Sequence, residues 1–153
     1  MELNESKLIE REVTLRNMIV TKEVLETRRS IIRWLALAMG VINPGESRQS
    51  SITVLDAIFY FQFVNKHDPN VQELSEYITK NWEPINEKTL RYHLLQLKKA
   101  NIVNNSKGVY FLASVDGDQK YNEEAWLTSY FNSEVQPIKD KVSSVLKELK
   151  TRQ

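Results

Sequence analysis

The chain has 153 residues, 41% of them apolar and 27% charged, with only four Gly and four Pro, which suits one compact domain carrying extra helices and excludes a fibrous or low-complexity protein. It has no cysteine and a net charge of +1. Disulfides, cysteine nucleophiles and thiolate metal sites are therefore excluded, and any nucleic-acid contact must rest on local rather than overall charge.

The opening MELNESKLIEREV lacks the basic, apolar and small-residue order of a secretory leader. The most apolar stretch, 31–42, contains Arg33 and is too short for a bilayer core of ~30 Å. A cytoplasmic protein with no membrane partner is expected.

Residues 2–39 contain neither Gly nor Pro and are rich in Glu, Lys, Arg and Leu. Val13, Val20, Val24, Ile31, Leu35, Ala38 and Ile42 recur in steps of seven, four and three, the spacing of one helix face. This predicts a helix of up to about 38 residues, ~57 Å long at 1.5 Å per residue. Its length makes 1–45 an N-terminal helical arm suited to dimerisation, with Val24, Ile31 and Leu35 in the seam, while its second part, IIRWLALAM, is apolar almost all round and is expected to be buried. Arg28, Arg29 and Arg33 decorate or pair across its surface.

A polar connector follows, and Ser51 is the expected cap of a core helix running to Asn65. Phe59 on that helix is expected to be buried against the helix that begins at Glu87, with Trp82 nearby. A turn at 67–70 precedes a second helix over 73–80, with Leu74, Tyr77 and Ile78 inward. Asn86 caps a third, EKTLRYHLLQLKKA, whose Leu90, Leu94 and Leu97 share one face. Asn101 then supplies a left-handed stop.

Strands at 102–103 and 109–112, joined by a turn over 104–108, form a short β-hairpin. The stretch 116–118 is a loop. Asn122 to Glu134 forms a helix with Trp126, Leu127, Tyr130 and Phe131. Pro137 opens a last one, with Ile138, Val142, Val145, Leu146 and Leu149 on one side. The narrow stripe of Ile138, Val142, Val145 and Leu149 suits a helix–helix seam, and a homodimer is expected from it. The chain thus divides into an arm over 1–45, a central domain over 51–114 and C-terminal helices over 120–153.

The order helix, helix, turn, helix, hairpin matters together with the residues of its third helix. INEKTLRYHLLQLKKANIV resembles the recognition-helix stretch of winged helix-turn-helix regulators. The resemblance is carried by Asn86, Thr89, Leu90, His93, Leu94, Leu97, Ala100, Asn101, Ile102 and Val103. The longer turn at Trp82-Glu83-Pro84 is similar to the PadR type, and the long flanking helices suggest a PadR or MarR style of dimer. Archaeal transcription regulators often take this format.

The resemblance implies a mainly α fold with a small β-hairpin wing, and a transcription regulator that binds double-stranded DNA. A helix fits the major groove, where base pairs are distinguishable. With the leucines inward, Lys88, Arg91, Tyr92 and Gln96 face outward as base readers. Thr89 suits a phosphate oxygen, and Lys107 sits at the wing tip. Residues 86–108 carry a local charge of +4, leaving about −3 on the remainder, a distribution that steers this face toward DNA.

Glu87 opposes a phosphate at the helix start, and Leu95 lies on a face that is often polar in this motif. Leu95 packs against the wing or meets a protein. The alternative function is a winged-helix protein-interaction module in a transcription or replication complex, with the transcription machinery as partner. No G-x-S-x-G, P-loop, H-E-x-x-H or dinucleotide turn is present, so no enzyme, cofactor or catalytic residue is expected. His93 reads as a core histidine. His67 lacks a second histidine nearby, so no metal is expected.

Overall fold

The computed structural model describes residues 4–113 and 119–152. Ser114, where the central domain was expected to end, and the expected loop Asp116-Gly117-Asp118 lie outside the described residues. The fold is mainly helical, with one small antiparallel hairpin.

The long first helix does not form. Residues Glu5–Leu8 and Val24–Glu26 make short 3-10 turns, most of the residues between them have no regular secondary structure, and helix α1 spans only Arg28–Ala38. Three physical causes are visible. The β-branched Val13, Thr14, Ile19, Val20 and Thr21 weaken helix propensity. Thr27 caps α1, its hydroxyl accepting the Ser30 N–H. Arg16 finds better use at the other end of α1. Its backbone N–H donates to Ala38 O at 2.8 Å, and its guanidinium donates to the carbonyls of Leu37 and Ile42 and to Asn43 Oδ1. A cation on the last carbonyls of a helix satisfies orphan acceptors and the helix dipole together. Trp34 donates from its indole to Ile19 O at 2.9 Å. Gly40, at φ +71°, lies so close under the arm that a Cβ there would come 2.6 Å from the Thr14 Cβ.

Nor is α1 an arm. Ile32, Ala36 and Ile42 belong to the same buried core as helix α2, Ser50–Phe59. Ser51 is not its cap: the helix begins one residue earlier, with Gln49 before it. It continues through a wider π-helical turn, Tyr60–Asn65, and stops at Lys66 with φ 56°. Helix α3, Val71–Asn81, starts with a capping box in which Asn70 and Glu73 satisfy each other's backbone N–H groups. Helix α4, Glu87–Lys99, is capped by Asn86. It ends with Asn101 at φ 58° and the Ile102 N–H donating to Leu97 O, a Schellman stop.

Strand β1 spans Val103–Ser106 and strand β2 Val109–Leu112. The hairpin turn is therefore only Lys107-Gly108, not 104–108. Both residues have positive φ, the geometry of a two-residue turn whose twist matches the strands. Asn70 adds a bridge to Val109, and Tyr110 N–H donates to Pro69 O, so the hairpin is stitched to the start of α3.

Helix α5, Glu123–Glu134, closes the core with Trp126 and Tyr130. Phe59 is buried, but its ring contacts are Phe63 and Trp126, on the α5 side of the core. Helix α6, Gln136–Thr151, has no buried residue.

Candidate nucleic-acid interface

Leu90, Leu94 and Leu97 are buried and fix the roll of α4 about its axis. That roll leaves Lys88, Arg91, Tyr92, Leu95 and Gln96 exposed, with Thr89 half-buried at the first turn. Thr89 N–H is taken by the Asn86 side chain. The N–H groups of Glu87 and Lys88 point off the helix end, as every first-turn N–H does. Lys107 is exposed at the hairpin tip. Lys98 Nζ donates to Asn105 Oδ1 at 2.8 Å, tying the end of α4 to β1.

Arg91 is not free in its resting state: its Nε lies 3.4 Å from Glu87 Oε2, one helical turn back. Both side chains are well exposed, so the pair is weak and readily exchanged for another anion. Leu95 is 48% exposed.

His93 is half-buried, with Nε2 2.8 Å from Ser50 Oγ. Burial, and then the positive charge of Arg48, push its pKa below the ordinary histidine value. The imidazole is thus a neutral hydrogen-bonding strut between α4 and α2. Arg48 carries no sequence signal, lying in the polar connector, yet the fold brings its charge to the side of α4.

The interior also holds a carboxylate that sequence reasoning missed. Asp56 is buried on α2 and accepts from Arg28 Nε at 2.7 Å, from Tyr77 OH at 2.9 Å and from Trp82 Nε1 at 2.8 Å. Burial together with this carboxylate drives the Tyr77 pKa up to about 12. For Arg28, burial opposes its charge, but Asp56 outweighs it and the pKa is raised. Arg29 lies over the Trp82 ring at 4.1 Å and donates to Asn81 O. One buried anion thus ties α1, α2, α3 and the turn that leads into α4. The signal available was a single acid inside the apolar run ITVLDAIFYF.

Ile31 and Leu35 are not on a free helix surface. They line an apolar groove of about 530 Å³ between α1, α2 and α5, with Phe59, Phe63, Trp126 and Phe131. Val24 is half-buried, whereas Ile138, Val142, Val145 and Leu149 are exposed along α6. The two halves of the expected seam therefore lie in different places. Among the described residues there is no cluster able to hold a metal ion, and no helix is long and apolar enough to cross a membrane.

Comparison with protein-family models, with curated proteins and with solved structures finds no match to this chain.

Proposed function

We propose that this protein is a sequence-specific transcription regulator of winged helix-turn-helix type that acts as a homodimer on double-stranded DNA. The observation that carries the reading is the roll of α4: its three leucines are buried, and Lys88, Arg91, Tyr92 and Gln96 share the outward side. Two further features support it. The Asn70–Val109 bridge adds a third, one-residue strand to the hairpin, the arrangement expected of a wing braced on the middle helix. The Lys107-Gly108 turn holds a cation clear of the body. Arg91 and Gln96 suit guanine and adenine edges, and Lys107 and the first turn of α4 suit phosphates.

Capture from a random duplex pool tests the reading, with an enriched consensus as the expected result. Arg91→Ala then weakens the cognate duplex by about 1–3 kcal/mol and random duplex little. Equal loss on both would make Arg91 a phosphate contact. Lys107→Ala lowers the salt slope by about one unit if the turn touches the backbone.

One observation favours a second reading, a winged-helix protein-interaction module. Leu95 stands exposed between the basic residues of α4, where apolar area suits a protein better than phosphate. No enriched duplex, with a complex from the transcription machinery lost on Leu95→Asp, decides for it.

A further inference from the structure

Helix α6 begins where α5 ends, with Val135 between them, and none of its residues is buried. A helix whose apolar stripe faces water lacks something to cover it, because each exposed apolar side chain gives up its burial free energy. Ile138, Val142, Val145 and Leu149 are 47% to 67% exposed. Beside the first half of the stripe, Leu8 and Ile9 of the arm stand 65% and 57% exposed. Together with Ile138 and Val142 they wall a groove of about 480 Å³. In the second half of the stripe Val145 and Leu149 stand 67% and 66% exposed. One half of α6 is a receptacle and the other half a ridge.

We infer that the occupant is α6 of a second copy, running antiparallel, so that each ridge fills the other chain's receptacle. The inference rests on the homodimeric part of the function proposed above. The register follows from the stripe. Steps of four, three and four make Val142 and Leu149 equivalent seam positions, and Ile138 and Val145 the other pair. Antiparallel pairing then sets Ile138 against Leu149 of the other copy and Val142 against Val145, giving four layers about a two-fold axis.

Charge decides the direction. Lys141 and Glu148 occupy the same flanking position, one residue before Val142 and Leu149. Antiparallel helices bring these flanks face to face, so Lys141 of each copy meets Glu148 of the other, two such pairs in one dimer. Parallel helices would set Lys141 against Leu146, which offers it no opposite charge. Lys141 now reaches Glu10 of its own chain at 3.0 Å, with both side chains mostly in water, and that contact is easily exchanged.

Sedimentation equilibrium of the full chain at micromolar concentration, without DNA, is the test, so failure of DNA binding leaves its result untouched. The expected mass is twice 17.9 kDa. Val145→Glu, at an exposed site that leaves the fold intact by circular dichroism, weakens the dimer by about a hundredfold or more. Lys141→Glu weakens it by about fivefold to tenfold, Glu10→Gln leaves it unchanged, and Lys141→Glu with Glu148→Lys restores it to within about twofold. The chain has no cysteine of its own, so mixing Ile138→Cys with Leu149→Cys protein under oxidation yields a covalent dimer that neither forms alone. A single-chain mass, a dimer indifferent to Val145→Glu, no rescue by the double charge exchange, or crosslinking of Ile138→Cys to itself overturns the proposal.

Discussion

The body and the two ends of this chain use similar residues to opposite effect. In α4, leucines at steps of four and three are buried against α2, α3 and the hairpin. In α6, Ile138, Val142, Val145 and Leu149 repeat nearly the same spacing yet remain 47% to 67% exposed. The N-terminal arm differs again. Its apolar residues are mostly exposed, and it is held by polar links: Arg16 on the end of α1, Arg11 on the buried Glu134 and the Ile19 carbonyl on Trp34. Spacing alone therefore does not say whether a stripe is core, seam or surface. What lies across from it does.

The comparison can be broken most sharply in the core. Leu94→Ala is expected to cost about 2–5 kcal/mol in urea unfolding, as a close-packed leucine does. The same truncation at Leu149 should cost below about 0.5 kcal/mol in a variant held monomeric by Val145→Glu. Equal costs would mean that α6 is packed in solution. Asp56→Ala should cost about 2–4 kcal/mol, because it strands the partly buried Tyr77 and Trp82 donors and the Arg28 charge. Tyr77→Phe, which removes one donor and leaves the acid its other two, should lose about 1 kcal/mol.

Gly40→Ala tests the arm. The residue has positive φ and Thr14 against it, so a loss of about 1–3 kcal/mol is expected, with earlier proteolysis before residue 27. Cleavage unchanged from the unaltered chain would show that the arm does not rest on that glycine.

The smallest effect concerns pH. His93 has a folded pKa below its unfolded value, so the folded state binds its proton less readily. Stability from this group is full above the unfolded value of about 6.5 and is lost as pH falls below it. The urea midpoint should therefore drop between neutral and mildly acidic pH, and His93→Gln should flatten that drop. A slope unaltered by the substitution would assign it elsewhere.

The elements of the body were legible because their signals are local. Asn86 and Asn101 bracket α4 whatever surrounds it, and Gly108 marked the hairpin, although its turn proved to be Lys107-Gly108 alone rather than 104–108. The arm was not legible. Its helical composition is real, but the carbonyls freed at the end of α1 give Arg16 an alternative that no window of sequence contains. Phe59 was correctly inward, but its ring contacts with Phe63 and Trp126 were not foreseen, because a helix apolar on nearly every side does not say which element each residue meets. Asp56 and Arg48 were invisible because one is defined by donors from α1 and from the far end of α3, the other by a charge effect across a loop.

The clasp of Arg16 over the end of α1 also imposes an order of events during synthesis. Residues 9–20 leave the ribosome before their anchorage, which is made of Leu37, Ala38, Gly40, Ile42 and Asn43. The arm cannot dock until at least those residues have emerged and α1 has coiled, and its Arg11 contact must wait for Glu134 near the far end. This stretch is thus fastened only after residues far downstream of it have been made, and a nascent chain stalled before residue 134 would present it to the cell half tied.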